Sequence, residues 1–319
     1  MSKTSVPVEK TGDLVHLGEM LYQRTLRKPV TVEGVGLHSG KPARLLFRPA
    51  PSGTGIYFQR RDLPGQPTLR VSGENVEATQ LATTLGGKDF SVSTIEHCLS
   101  GVAAFRIDNL IIELEGPEIP ICDGSAAVFS QKILEAGFVE QDQPRKYYYV
   151  TKPILEGNEE KHVYVFPYNG LKISCTIDFK HPAIGLQSFE IDVNEQTFTR
   201  EIAAARTFGF FKDAEALRAK GLALGANLDN TVVLDESGVM NPSGLRFKDE
   251  FVRHKILDAL GDLVTLGFPL LGHVVLYKAG HDLMNKMVRL LRHSPASVQL
   301  TELGGLPSEL PVDPQSRPS

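Results

Sequence analysis

The stretch Asp249–Val264, D-E-F-V-R-H-K-I-L-D-A-L-G-D-L-V, decides how the rest of the chain is read. Its apolar residues Val252, Ile256, Ala259, Leu260 and Leu263 recur at helical spacing. On a wheel of about 100° per residue they centre nearly opposite His254. His254, Asp258 and Asp262 stand at i, i+4 and i+8 and form one sloping polar stripe. The first two lie one turn apart, close enough to bind one ion from the same helix face. An imidazole and a carboxylate suit zinc, and a helix fixes their separation before any ion arrives. Taken alone, the H-x3-D spacing describes a surface helix with a wet face; the company it keeps elsewhere in the chain decides between the two readings.

The chain has 319 residues, enough for two domains of ordinary size and for a core that needs no staples. A hydrophobic content of 41% and a charged content of 23% belong to a soluble globular protein. A formal net charge of −4 and a pI near 6.2 argue against a nucleic-acid binder, which would carry a basic face. Cys98, Cys122 and Cys175 are scattered, odd in number and without a C-x2-C pair, which fits a reducing compartment better than a disulfide framework. No apolar run approaches the ~18 residues of a transmembrane span. Residues 1–24 mix Lys3, Glu9, Lys10, Asp13 and Glu19 with few apolar side chains, so they lack the apolar region of a secretory signal. The expectation is a cytoplasmic protein, taken as a monomer.

Residues 1–22 read as an N-terminal extension, and 304–319, with Pro307, Pro311, Pro314 and Pro318, as a disordered tail. Strand signals come at 44–47, 55–59 and 109–114, and helix signals at 95–104 and 126–136. Thr94 is placed to cap the first of these helices, with Glu96 in its first turn. The polar run Gln141–Lys146, with Pro144, is taken as the boundary between domains 23–142 and 143–303. The second half repeats the strand signals at 147–150, 162–166, 171–177 and finally 273–278, with mixed extended and helical signals at 203–220. Strands and helices mix without regular β-α alternation. The fold class is therefore α+β, two sandwiches each made of a sheet packed on helices.

Four further constellations carry chemistry. Glu96-His97 are adjacent on a helix and point about 100° apart, so one can hold a metal while the other addresses a water, as in H-E-x-x-H enzymes. Alone, such a pair is only a solvated helix start. Lys278-Ala279-Gly280-His281 closes an apolar strand, with Gly280 allowing the turn that brings out His281, a candidate acid or base or simply an exposed loop histidine. In Ala205–Phe211, A-R-T-F-G-F-F, Thr207 can donate to a developing oxyanion, and the phenylalanines either line an apolar slot or pack a core. Gly34–Gly40, G-V-G-L-H-S-G, lacks both the P-loop lysine and the G-x-G-x-x-G spacing, so it reads as a hairpin turn that places His38 near a cleft. His16, His162, His181, His273 and His293 show no partner in the sequence.

Read together, the stretches G-V-G-L-H-S-G (34–40), S-T-I-E-H (93–97), G-P-E-I-P-I-C-D-G-S-A (116–126), I-D-F-K-H-P-A (177–183), A-R-T-F-G-F (205–210), the run 244–263 and K-A-G-H (278–281) resemble, in order, the UDP-3-O-acyl-N-acetylglucosamine deacetylase family. The resemblance covers about Arg24 to His293. It implies a zinc amidase of lipid A biosynthesis in Gram-negative bacteria, releasing acetate from UDP-3-O-(3-hydroxyacyl)-N-acetylglucosamine. It further implies one Zn2+ per chain on His97, His254 and Asp258, with Fe2+ as an alternative, and a water completing the site. Glu96 then matches the base, His281 the acid, Asp262 the group that orients His281, and Thr207 the hydroxyl on the amide carbonyl. Lys255, Phe179, Phe208 and Phe210 match substrate-binding positions: Lys255 near the sugar nucleotide, Phe179 on uracil, the other two by the acyl-chain passage. The two halves are implied to share one topology and to face each other across the active site. Cys98 after His97, and Ala226-Asn227 after Gly225, depart from the usual pattern. Two other readings stay open: a degenerate relative that binds the sugar lipid without turning it over, and a metal-free enzyme using Glu96, His281 and Asp262.

Overall fold

The computed structural model describes residues 21–88 and 90–302, so the expected extension at 1–22, all but its last two residues, the expected tail and His16 lie outside the described residues. In the first half, a five-stranded sheet runs in the order Val30–Val35, Pro42–Pro49, Leu110–Glu115, Ile56–Arg60, Thr68–Arg70. All neighbours are antiparallel except the parallel pair Ile56–Arg60 and Leu110–Glu115. The first two strands form the hairpin whose turn is the glycine-rich 36–41 segment, closed by the Gly36 N–H to the Lys41 carbonyl at 2.9 Å. Helices α1 (Glu96–Ala104) and α2 (Ala127–Ala136) cover this sheet. Leu45, Phe47, Phe58, Leu110, Ile112 and Leu114 from the strands share one core with Leu99, Val102, Phe129 and Ile133 from the helices. In the inner strands Pro42–Pro49, Leu110–Glu115 and Ile56–Arg60, buried residues alternate, as a pleated strand with one covered face requires.

The second half is built on a seven-stranded sheet whose central strand is Leu270–Tyr277. That strand pairs antiparallel with His162–Phe166 and parallel with Leu171–Phe179 and Lys146–Val150. Ile173, Cys175 and Ile177 point inward from Leu171–Phe179, while Lys172 and Thr176 alternate away from the core. Helices α3 (Glu195–Glu201), α4 (Ala214–Ala219), α5 (Glu250–Leu263) and α6 (His281–Arg292) complete this half. The expected last strand is followed by two unforeseen elements, α6 and the strand Val298–Glu302. Each half is a sheet packed on helices, and the fold is α+β.

The polar run 141–146 is not loose. Phe138–Pro144 is a strand paired antiparallel with Tyr22–Leu26, and the chain enters the second sheet at Lys146. Between them Arg145 is buried, its Nε donating to Asp108 Oδ1 at 2.7 Å. Among the described residues, no helix is long and apolar enough to cross a membrane.

Candidate active site

Helix α5 is buried on nearly every side, with only Arg253 and Lys255 half-buried, and its polar stripe is included: His254, Asp258 and Asp262 are each 5% exposed or less. The wet surface helix is thus excluded, and so is the solvated start of α1, where Glu96 and His97 are buried. The two helices cross at Gly261. A Cβ there would lie 2.0 Å from the Glu96 carbonyl oxygen, so only glycine admits this approach. In an open helix that glycine would cost about 1 kcal/mol relative to alanine; here it brings the E-H pair onto the polar stripe.

Two groups of ligand-type atoms result, sharing Asp258: His97, His254 and Asp258, and Glu96, Asp258 and His281. His254 Nδ1 faces the Ala205 carbonyl at 3.0 Å. A carbonyl only accepts, so Nδ1 carries the proton and the Nε2 lone pair is left facing Asp258 Oδ1 at 3.2 Å. His97 Nε2 lies 3.8 Å from the same oxygen, and the two imidazole rings stand 5.0 Å apart at 85°. Lys255 Nζ donates to Asp258 Oδ2 at 2.8 Å, whereas buried Oδ1 has no hydrogen-bond partner. A buried carboxylate oxygen without a donor, flanked by two imidazole nitrogens, is suited to a cation. Burial pushes His97 down to about 3 and also lowers His254, so both are neutral and able to ligate. Burial opposes ionisation of Asp258, yet His254, Lys255 and His281 outweigh it and hold its pKa below the ordinary value.

His281 is not an exposed loop residue. It opens α6, is buried, and its Nδ1 bonds Asp262 Oδ2 at 2.8 Å. The turn before it is made by Lys278 at φ +53°, not by Gly280, which is extended at φ −130°. His281 Nε2 points to Glu96 Oε1 at 3.8 Å and Asp258 Oδ2 at 4.0 Å. Burial would lower its pKa, but the Asp262 carboxylate outweighs this and raises it to about 9. Burial pushes Glu96 the other way, up to about 8, helped by Asp258 and Asp262 against His281.

On the other side of His254 lies an aromatic row. Phe208 contacts Phe251 at 5.0 Å and Phe179 at 5.7 Å between centroids, and stands 6.4 Å from the His254 ring. Phe210 joins Phe179 at 6.1 Å, and Lys255 Nζ sits 5.7 Å over the Phe208 ring. Lys255, Phe179, Phe208 and Phe210 are therefore gathered beside the first group. Thr207 starts this row; its N–H donates to the Gly124 carbonyl at 2.7 Å. Just before it, buried Arg206 is clamped by Glu250 at 2.8 Å, tying the segment to the start of α5.

His38 belongs to neither group. Its backbone N–H donates to Glu118 Oε1 at 2.8 Å, and its ring Nδ1 accepts from the Ala223 N–H at 3.3 Å. Glu118 also accepts from the Ser39 N–H at 2.7 Å and the Thr94 hydroxyl at 2.8 Å. Thr94 is therefore not the cap of α1. It sits at φ +59°, a strained position for a β-branched residue, and its hydroxyl serves Glu118 instead. Of the histidines without an evident partner, His162 bonds the Asn158 carbonyl, His181 that of Asp235, His273 the Ser174 hydroxyl and His293 the Arg289 carbonyl. Three residues of the site escape sequence reading. Gly261 was visible only as a weak spot in a helix, and Glu118 only as one letter of a motif. Thr83, which bonds both Glu96 and Asp262, carried no signal at all.

Comparison with known proteins shows the family of the chain. The profile of the UDP-3-O-acyl N-acetylglycosamine deacetylase family matches residues 23–293. A protein of Bdellovibrio bacteriovorus named UDP-3-O-acyl-N-acetylglucosamine deacetylase is 61% identical over 285 residues, 89% of this chain and 94% of the relative. Relatives of the same name from Myxococcus xanthus and Syntrophotalea carbinolica are each 48% identical, over 87% and 89% of this chain and 88% and 92% of their own length. The match spans both groups and the aromatic row, so the chain belongs to the UDP-3-O-acyl N-acetylglycosamine deacetylase family.

Proposed function

We propose that this chain is a zinc-dependent hydrolase that removes the N-acetyl group from UDP-3-O-(3-hydroxyacyl)-N-acetylglucosamine in lipid A biosynthesis. The observation that carries it is the pair of buried groups meeting at Asp258, one with ligand chemistry and one with acid–base chemistry. Two imidazoles and one carboxylate make a set that leaves a metal position open, as catalytic rather than structural zinc requires. The same donors tolerate Fe(II). Bound there, the cation would supply charge that activates a water, polarises the amide carbonyl and favours the ionised form of Glu96.

The chain's own residues do the rest. Glu96 takes the proton of the attacking water as the new C–O bond forms. Thr207 donates to the carbonyl oxygen as charge gathers on it, a kind of contact whose removal costs about 3–4 kcal/mol. His281, kept protonated by Asp262, gives its proton to the leaving sugar nitrogen as the C–N bond breaks, yielding acetate and a free amine. Lys255 and Phe179 bind the sugar nucleotide, Phe208 and Phe210 border the acyl chain, and His38 meets the substrate from the 34–40 turn. Both groups are complete within one chain, which supports a monomer, and the three free cysteines support a cytoplasmic location. The domain boundary is proposed within 141–146, where the chain leaves one sheet for the other. Metal analysis with an acetate-release assay tests this reading. About one zinc per chain, with activity abolished by a chelator and restored by Zn2+, is expected; full turnover by metal-stripped protein would refute it.

A further inference from the structure

We infer that Thr83 is a positioning residue for the reaction, holding the carboxylates of Glu96 and Asp262 in register through its main-chain N–H and its hydroxyl. It is buried and lies just before the short strand Thr84–Gly86, in neither group of ligand-type residues. Two of its three polar groups reach the proposed machinery, and the third anchors it to the start of α1. Its hydroxyl donates to Asp262 Oδ1 at 2.5 Å, and its N–H donates to Glu96 Oε2 at 3.1 Å. Its carbonyl accepts from the Ile95 N–H at 3.3 Å, at the threshold of α1.

The consequence is geometric. Each carboxylate has one oxygen claimed by Thr83 and the other left to face His281: Asp262 Oδ2 at 2.8 Å from Nδ1 and Glu96 Oε1 at 3.8 Å from Nε2. One residue thus selects which oxygen of each carboxylate addresses the imidazole, across the seam between α1 and α5. Without the hydroxyl, Asp262 Oδ1 becomes a buried acceptor with no donor from Thr83, and the carboxylate is free to rotate away from Nδ1.

The inference rests on the roles given above to Glu96, Asp262 and His281, and the test separates the two. Thr83→Val keeps the shape and the N–H but removes the hydroxyl. The expected result for the metal-loaded enzyme is a kcat reduced about 10- to 100-fold, with metal content and KM within about twofold of the parent. Thr83→Ser should recover most of the loss. In an Asp262→Asn background the valine change should cost much less than in the parent, because it acts through Asp262. Wild-type kcat in Thr83→Val, or full additivity with Asp262→Asn, overturns the inference. If the valine variant does not fold, Thr83→Ala supports the same comparisons. An active Glu96→Ala enzyme would instead sink the underlying mechanism, whatever Thr83 does.

Discussion

Helices α5 and α6 follow one another in the chain and pack together, yet they treat polar residues in opposite ways. Helix α6 is an ordinary amphipathic helix. Leu283, Met284, Met287, Val288 and Leu291 face the core, while Asp282 and Lys286 form an exposed i,i+4 ion pair at 2.9 Å. Helix α5 has the same period but no fully exposed residue, and its polar stripe meets α1 from the other half of the molecule. Buried polar groups cost several kcal/mol unless partnered, and nearly all of them on α5 are. Glu250 takes Arg206, His254 the Ala205 carbonyl, and Asp262 both Thr83 and His281. Asp258 is the exception, with one oxygen on Lys255 and the other unpartnered. The exception marks where we propose that the chemistry sits.

This contrast can be broken at several points. Changing the buried acid–base pair should have the largest effect: Glu96→Ala and His281→Ala should each lower kcat by about 10²–10⁴-fold in an acetate-release assay while keeping the metal. Loss of metal along with activity would mean that these residues hold the ion rather than act beside it. Next is Glu250→Gln, which leaves the Arg206 charge buried and should destabilise the fold by about 3–5 kcal/mol in denaturant titration. Burial pushes the Glu250 carboxyl up, but its bonds from Arg206 and Arg246 outweigh this and hold it below 4.5. A depressed carboxyl contributes stability that is fully present above pH 4.5 and lost as pH falls through the folded value. The variant should therefore lose this part of the acid dependence, and an unchanged acid limb would speak against the pair.

Gly261→Ala should destabilise by about 1–3 kcal/mol through overpacking, although propensity alone predicts about 1 kcal/mol of gain. A stabilised variant would mean that the two helices do not cross at this residue. The smallest effect belongs to α6: Lys286→Ala should leave the denaturant midpoint essentially unchanged, because its ion pair with Asp282 is exposed and screened.

Much of the site was legible because it is written in residue type and local spacing. The i, i+4, i+8 stripe, the E-H dipeptide and the A-R-T-F-G-F run needed no third dimension. The errors share one cause, which is that local pattern does not report what a side chain faces. Thr94 had a capping residue's chemistry, but Glu118, from a different loop, claimed its hydroxyl. His281 stood after a strand and a glycine-marked turn, yet it opens a helix and is buried against Asp262. Thr83 sits in a polar, featureless run whose meaning comes entirely from two distant carboxylates.

From the amino-acid order alone followed the α+β class, the helical stripe and the inventory of donors, since period and chemistry are properties of neighbouring residues. Folding alone decided that the stripe of α5 turns inward and that the carboxylate at 258 keeps one oxygen without a partner. Those facts depend on how closely two helices from different halves can approach, and that distance is set by a missing side chain at Gly261, not by any local pattern.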